Sequence, residues 1–180
     1  MDGRAADLAD PVAEAASGDV RVEPYTGSRD DLRGLFELAE DSPARLDCYL
    51  HAGRVLVARA GEEVIGHLQL VDGSGRGVVE IKNMAVREGW QARGVGARLV
   101  QAAIDLVAAQ AGSTVLVATA SADVGSLRFY QRRGFRMRWI EPDAFTPATG
   151  YPAGLLVDGI GVRDRVWLDH QVDRSPGLDG

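Results

Sequence analysis

One stretch in the middle of this 180-residue chain constrains the fold more than any other. An apolar run at 78–86 leads into a glycine-containing segment at 91–97, a helical pattern from about 94 to 111 and a second apolar run at 114–118. The helical pattern repeats apolar residues along one face, which is typical of a helix packed on a sheet. Two strands joined through such a helix lie parallel. The sequence therefore predicts a β-α-β unit at the centre of the protein.

Further strands and helices are predicted on both sides of this unit. Apolar or alternating runs indicate strands at 20–25, 54–59, 64–71, 135–140 and 163–170. Ser28 and Ser42 are placed as N-caps of two early helices, and a later helix passes through Tyr130 to Gly134. We therefore expect an α/β (α+β) fold whose mixed sheet of about six or seven strands is flanked by about four helices.

The length of the chain fits one domain. Residues 1–18 are small, polar and acidic without apolar periodicity, so we expect a disordered N-terminal tail there. A single domain is expected over 19–172, followed by a flexible C-terminal tail over 173–180.

Composition and charge exclude several classes of protein. The 20 basic and 26 acidic residues give a net charge of −6, which repels a phosphate backbone, so no nucleic-acid partner is expected. Cys48 is the only cysteine and the three histidines are scattered, so we expect neither an intrachain disulfide nor a metal site. Because there is no apolar run of about 18 residues and no signal peptide, we expect a cytoplasmic protein without a membrane partner.

The segment that precedes the central helix carries the most specific motif. It has Gln91, Gly94 and Gly96 at a strand-to-helix junction. Glycines allow a tight turn and a close approach of the backbone, and the free N–H groups at a helix start attract an anion. A dinucleotide-binding turn would need a third glycine where Leu99 stands, so that interpretation is weak.

This glycine motif resembles the pyrophosphate-binding loop of the GNAT superfamily of N-acetyltransferases. The strand before it, at 80–86, is similar to the family's fourth strand, and 126–135 is similar to a later motif in which a helix carries a tyrosine before a glycine-phenylalanine turn. The predicted order of elements is also the family's order. The resemblance implies the GNAT fold, an acetyl-CoA-dependent N-acetyltransferase, and acetyl-CoA (coenzyme A) as the cofactor.

The resemblance also assigns residues to the cofactor. The end of the fourth strand and the glycine loop are expected to contact the acetyl-pantetheine arm and the pyrophosphate. The assigned residues are Met84, Ala85, Val86, Gln91, Ala92, Arg93, Gly94, Val95, Gly96, Ala97, Arg98, Ser126 and Arg133. Many relatives carry an asparagine several residues before the tyrosine, where this chain offers Ser121 or Asp123, so a side-chain contact to the pantetheine arm is left open.

Glu80 and Tyr130 are the expected catalytic residues. An attacking amine must lose a proton, and Glu80 stands in an otherwise apolar strand, as the catalytic base does in many relatives. The alternative is an ion pair between Glu80 and Lys82. The family's tyrosine protonates the leaving thiolate, which assigns that role to Tyr130, although its spacing also suits a core residue. A bulge near Met84 and Ala85 is expected to free an N–H group for the oxyanion.

The acceptor is less constrained. In the family it approaches between the first helices and the late strands, where carboxylates and aromatic rings suit a polyamine or an aminosugar. The candidates are Asp41, Asp47, Trp139, Asp143, Tyr151 and Asp158. The alternative is a solvated acidic surface. The segments 140–145 and 158–166 resemble a bacterial subgroup with aminoglycoside acetyltransferases of the kasugamycin-modifying kind, which implies a small-molecule amine acceptor and a role in antibiotic resistance.

Two other functions stay open at this point. One is a peptide or protein N-acetyltransferase. The other is a non-catalytic acyl-CoA-binding sensor, which would keep the glycine loop without needing Glu80 or Tyr130. Late strands of this fold often pair across a dimer interface, so a monomer and a homodimer are both compatible with the sequence.

Overall fold

A seven-stranded mixed sheet forms the body of the protein in the computed structural model, which describes residues 20–172. The strands of this sheet are β1 (Val20–Pro24), β2 (Arg54–Ala60), β3 (Glu63–Asp72), β4 (Val78–Val86), β5 (Thr114–Ala120), β6 (Arg136–Glu141) and β9 (Arg165–Gln171). Between β6 and β9 in the chain, β7 (Leu156–Val157) and β8 (Ile160–Gly161) form a separate hairpin. Their order in the sheet is β1-β2-β3-β4-β5-β9-β6. The tails expected at 1–18 and 173–180 lie outside the described residues.

Four α-helices within residues 20–172 cover the two faces of this sheet. They are α1 (Arg33–Phe36), which lies between two 3-10 turns, α2 (Pro43–Tyr49), α3 (Val95–Ala109) and α4 (Val124–Gln131). The Ser28 hydroxyl accepts from the Asp30 N–H, and Pro43 begins α2, as the sequence predicts. The fold class predicted from the sequence is confirmed. Within the described range, no helix combines the length and the apolar character needed to cross a membrane.

Alternate residues of the central strands pack into two separate cores. On β2, Leu56 and Ala58 pack with α3, whereas Val55 and Val57 pack with α1 and α2. Leu99 of α3 is fully buried in the first of these cores. Burial of each large side chain of this kind contributes about 1.5–3 kcal/mol to stability. The sheet is therefore held by helices on both faces.

Strands β4 and β5 are the parallel pair that the sequence predicts, and they separate part of the way along. Their pairing runs from Val78 opposite Thr114 to Ile81 opposite Val117. Beyond this point β4 pairs only with β3, and β5 pairs only with β9. A cleft therefore opens between 82–86 of β4 and the end of β5.

Lys82 forms a β-bulge at the start of this cleft. Leu70 of β3 lies opposite Ile81 and the preceding Gln69 lies opposite Asn83, so Lys82 has no partner on β3. The extra residue breaks the alternation of faces. As a result, the side chains of Lys82 and Asn83 both lie on the side of the sheet that α1 and α2 cover.

The bulge predicted near Met84 and Ala85 is therefore misplaced, because its position depends on the register with β3. Free donors are present at the cleft for another reason. The Arg87 N–H donates to the Ile65 carbonyl of β3 at 2.9 Å. Because donors of an antiparallel strand alternate in direction, the N–H groups of Met84 and Val86 point away from β3 and toward the cleft.

Candidate active site

A cavity of about 400 Å³ lies where β4 and β5 separate. It is lined by residues from both cores and from the loops after α1 and β6. Six of the residues predicted from the sequence line it, namely Asp41, Glu80, Met84, Ser126, Tyr130 and Tyr151. The two expected catalytic side chains are thus neighbours of one cavity.

Glu80 lies on β4 with its carboxylate at this cavity. Its side chain is 17% exposed, and Lys82 Nζ donates to Glu80 Oε1 at 3.2 Å. The ion pair considered from the sequence is therefore present. A carboxylate has two oxygens, so this contact leaves Glu80 able to accept a proton from an amine in the cavity.

Tyr130 reaches the same cavity from α4. The residue is only 6% exposed, and its ring makes an edge contact with Phe135 at 5.4 Å between centroids. Burial, together with the negative charge of Asp123, raises the pKa of Tyr130 well above its ordinary value. The phenol therefore keeps its proton at neutral pH and can donate it.

The loop before α3 presents open backbone donors. Ala92 and Gly94 have φ angles of 58° and 81°, so the chain turns sharply just before the helix. Gly94 is the N-cap and offers no side chain to the first-turn N–H groups. A Cβ at Gly94 would meet no atom within 4 Å, so the space around it is open. This helix start fits a phosphate group such as the pyrophosphate of acetyl-CoA.

Side chains of the same segment anchor the loop to the sheet. Gln91 Nε2 donates to the Val86 carbonyl at 3.0 Å. Arg98 Nη1 donates to the Val20 carbonyl of β1 at 2.9 Å, which engages one of its donor groups. We conclude that these two residues position the backbone donors.

Other members of the motif are used in packing. Val95 is buried in the core under α3, and Ala85 is buried on the opposite face of β4. A Cβ at Gly96 would lie 3.3 Å from the Phe129 ring, so the glycine lets α3 and α4 approach closely. Arg93, by contrast, is exposed, with its guanidinium 5.5 Å from the centroid of the Trp90 ring.

A second cavity, of about 450 Å³, lies between α3 and α4 next to the glycine loop. Ala97 lines one wall, and Arg128, Arg132 and Arg133 line the other. Arg133 is held by a hydrogen bond of 2.6 Å from Nη1 to the Phe129 carbonyl. Three guanidinium groups beside the start of α3 extend the region that can accept phosphate charge.

A chain of hydrogen bonds runs beneath the other end of the first cavity. His67 Nε2 donates to Asn83 Oδ1 at 2.9 Å, and Asn83 Nδ2 donates to the Tyr49 hydroxyl at 2.9 Å. The Tyr49 hydroxyl in turn donates to Glu40 Oε2 at 3.1 Å. The bulge makes this chain possible, because it turns Asn83 toward α2.

His67 is fully buried in this chain and is neutral. Burial lowers its pKa to about 4, and the hydrogen bond to Asn83 only partly offsets that effect. The sequence does indicate that buried hydrogen bonds form here. His67, Gln69 and Asn83 are polar residues in apolar strands, where their side chains need hydrogen-bond partners. From the sequence alone, His67 is only one of three scattered histidines.

Two of the predicted acceptor carboxylates are engaged elsewhere. Asp47 pairs with Arg33 at 2.5 Å and Asp143 pairs with Arg163 at 2.5 Å, and all four side chains lie at the surface. Neither carboxylate lines the cavity, because each is held by its arginine. These two residues are therefore removed from the candidate acceptor site.

Two further acceptor candidates also lie outside the cavity. Asp158 is exposed in the turn between β7 and β8, where its φ is 49°. Trp139 is exposed on β6 and stacks on Trp167 with 5.3 Å between ring centroids. Trp167 is the member of the stack that lines the cavity.

Two cationic side chains that the sequence did not single out line the cavity together with Lys82 of β4. They are Arg45 of α2 and Arg165 of β9. Glu40 and Tyr49 also line it and were missed, and Phe145 of the segment 140–145 lines it as well. No local pattern distinguishes these residues, because they come together only through the tertiary fold.

The sequence and the fold are similar to known acetyltransferases. Residues 23–135 match the sequence model of the Acetyltransferase (GNAT) family. The chain is 34% identical over 152 residues to the uncharacterized N-acetyltransferase YvbK of Bacillus subtilis (strain 168), a match that covers 83% of this chain and 96% of that protein.

Solved structures of acetyltransferases are similar to this chain as well. An acetyltransferase from Bacillus subtilis in complex with CoA matches with a TM-score of 0.78 and 32% identity, over 86% of this chain and 100% of that chain. A GNAT family acetyltransferase from Elizabethkingia anophelis with acetyl-CoA bound matches with a TM-score of 0.77 and 28% identity, over 84% and 97% of the two chains.

Proposed function

The chain belongs to the GNAT family of acetyltransferases, and from this premise we propose that it transfers the acetyl group of acetyl-CoA to the primary amine of a small molecule. The observation that carries the proposal is the convergence of Glu80 and Tyr130 on one cavity at the opening between β4 and β5. A catalyst of amine acetylation needs a proton acceptor and a proton donor at one place.

The residues around the opening fit acetyl-CoA. The N–H groups of Met84 and Val86 and those at the start of α3 would hold its pantetheine arm and pyrophosphate, and Arg93 and Arg133 would add positive charge. When bound, acetyl-CoA supplies an acetyl thioester as the electrophile. Its use also agrees with a cytoplasmic enzyme, because acetyl-CoA is made and consumed inside the cell.

Glu80 acts as the general base in this proposal. An ammonium group cannot attack a carbonyl carbon, so the acceptor must first give up a proton to a carboxylate or to water held by it. The neighbouring Lys82 ammonium donates to one Glu80 oxygen and leaves the other oxygen for the amine. Direct attack of the free amine then follows.

Tyr130 acts as the general acid. The departing sulfur needs a proton or a hydrogen bond, and the Tyr130 phenol carries a proton at neutral pH, since its ordinary pKa is about 10 and burial raises the pKa further. Its place on α4 is fixed by edge contacts with Phe129 and Phe135, at 5.0 and 5.4 Å between centroids. A rigid donor keeps its proton aimed at one position.

The cavity favours a compact acceptor. Its volume of about 400 Å³ also has to admit the acetyl end of the cofactor, which leaves room for a small molecule rather than for a protein segment. The aminoglycoside-type acceptor and its role in antibiotic resistance stay a hypothesis, since only Asp41 and Tyr151 of the residues on which it rested line the cavity.

A homodimer is a further part of the proposal. Strand β6 is the last strand of the sheet and exposes Met137, Trp139 and Ile140. An apolar edge strand of this kind pairs readily with a second copy. Sedimentation of the wild-type protein beside a Trp139→Lys variant tests it: the variant is expected to sediment as a monomer and the wild type as a dimer.

Thiol release from acetyl-CoA over a panel of amines tests the reaction itself. The panel contains aminoglycosides, polyamines, amino acids and short peptides, and calorimetry measures CoA binding in parallel. Turnover of a small amine supports the proposal. Tight CoA binding without turnover of any amine would support the acyl-CoA sensor, and turnover of peptides alone would support a peptide N-acetyltransferase.

A further inference from the structure

Arg45 is a cation at the acceptor end of the cavity, and within residues 20–172 it has no anionic partner. Its Nη1 donates to the Thr149 carbonyl at 3.0 Å, and its guanidinium lies 5.0 Å from the centroid of the Tyr151 ring. Nε is buried and has no hydrogen-bond partner among residues 20–172, and over the same range Arg45 forms no salt bridge. A partly desolvated guanidinium in this state gains from a ligand anion.

Arg165 approaches the same place from β9. Its side chain is 16% exposed and lies 4.9 Å from the centroid of the Phe145 ring, which itself contacts the Tyr151 ring edge-on at 4.9 Å. The two guanidinium groups therefore cover two adjoining rings. Arg165 Nη1 also donates to Glu141 Oε2 at 3.1 Å, a contact that holds the side chain in place.

Both guanidinium groups influence the carboxyl group of Glu141, so they lie near one region of the protein. The hydrogen bond from Trp167, together with the charges of Arg165 and Arg45, lowers the pKa of Glu141 despite partial burial. A second carboxylate placed between the two arginines from inside the cavity would experience the same field.

The cavity wall connects this region to Glu80. Arg45 and Tyr49 are four residues apart on α2, about 6 Å along the axis. Lys82 Nζ lies 5.4 Å from the centroid of the Tyr49 ring and 3.2 Å from Glu80 Oε1. Tyr49 and Lys82 thus connect the Arg45 end of the cavity to the proposed base.

We propose that the acceptor amine also carries a carboxylate, which Arg45 binds with help from Arg165 while the amine lies at Glu80. This inference rests on the proposed acetyl transfer and narrows its substrate to amino acids and similar amino-carboxylates. A guanidinium matches a carboxylate with two parallel hydrogen bonds. A polyamine would bring further positive charge against Arg45, Lys82 and Arg165.

Matched compounds test the inference. We would measure kcat/KM by thiol release for a panel of α-, β- and γ-amino acids, each beside its decarboxylated amine and its primary amide. The acids are expected to exceed both counterparts by at least about tenfold, as one charge-assisted pair of hydrogen bonds implies. Arg45→Gln should reduce that ratio to near one, and Arg45→Lys should give an intermediate ratio. Arg163→Gln, two residues from Arg165 and outside the cavity, is the matched control and should preserve it.

A binding measurement provides a readout besides activity. The N-acetylated form of the best acid is titrated calorimetrically into the CoA-bound protein, and Arg45→Gln is expected to weaken its affinity about tenfold. Equal turnover of acids, amides and simple amines would overturn the proposed carboxylate site and would leave the proposed acetyl transfer unaffected. An unchanged acid preference in folded Arg45→Gln would overturn it as well. Absence of turnover with every compound would overturn the proposed function and this inference with it.

Discussion

The cofactor side and the acceptor side of the site are built in different ways. The proposed cofactor side consists mainly of one continuous stretch, 84–98, which offers backbone N–H groups at the end of β4 and the start of α3, with arginines of α4 beside it. The acceptor side takes side chains from α2, β4, the loop after β6, and β9. A site made of backbone depends on local conformation, whereas a site made of side chains depends on which distant segments meet. Four substitutions or conditions test this contrast.

The largest effect is expected from Glu80→Gln on the acceptor side. Loss of the base should lower kcat by about 10³-fold and remove the acid limb of the pH-rate profile, with CoA affinity unchanged. Lys82→Met is the matched control, because it removes the same ion pair and keeps the carboxylate. Steady-state kinetics from pH 5 to 9 measure both. Equal losses of activity in the two variants would mean that the pair is structural.

The next effect is a pH dependence of stability through His67. In the unfolded chain histidine has a pKa of about 6.5, and in the fold burial lowers the pKa of His67 to about 4. Between these values only the unfolded state takes up the proton, so stability falls as the pH falls from about 6.5 to 4. The total loss is about 3 kcal/mol.

Urea unfolding at pH 7.5, 6, 5 and 4.5 measures this loss. The dependence on pH should flatten in His67→Gln and persist in His51→Gln, because His51 is exposed. Parallel curves for the wild type and His67→Gln would show that the hydrogen-bond chain on the acceptor side is not the pH-sensitive element.

Tyr130→Phe is expected to have the third effect, a fall in kcat of about 100-fold with little change in CoA affinity. The substitution removes only the hydroxyl, so the packing against Phe129 and Phe135 is kept. Tyr25→Phe, on the far side of the sheet, is the control. Unchanged turnover in Tyr130→Phe would leave it a packing residue.

The smallest effect is expected on the cofactor side, from Gly94→Val. A β-branched residue at a φ of 81° costs about 1–2 kcal/mol, so CoA should bind about tenfold more weakly. Gly94→Asn is the control, since asparagine tolerates this backbone conformation and the space around Gly94 is open. If the two variants bind CoA equally, the conformation of this residue is not what holds the cofactor side together.

The same contrast explains what the sequence could predict. The β-α-β unit and the open helix start at Gly94 follow from local patterns and are found as expected, and so is the order of the elements apart from the short β7–β8 hairpin. Glu80 and Tyr130 belong to motifs that the sequence shares with one family, so their meeting at one cavity also follows.

The acceptor residues could not be predicted in the same way. Whether Asp47 or Asp143 is available to bind an acceptor depends on arginines 14 and 20 residues away in the sequence. The residues next to each aspartate do not indicate that these ion pairs form. Arg45 and Arg165 are 120 residues apart in the sequence and meet at two adjoining aromatic rings, which only the tertiary fold brings together. The bulge in β4 was predicted at the wrong position for the same reason, since its position is a property of the pairing of two strands.

The bulge at Lys82 determines on which face of the sheet each side chain at the end of β4 lies. With Lys82 in place, Asn83 lies on the acceptor face and Met84 packs toward the α3 core. Strict alternation through a paired Lys82 would exchange the two, whereas deletion of Lys82 would leave Asn83 opposite Gln69 and Met84 opposite Leu68, each on its present face. The bulge is therefore the position at which β4 can lose one residue without turning the side chains of either half of the strand to the other face of the sheet.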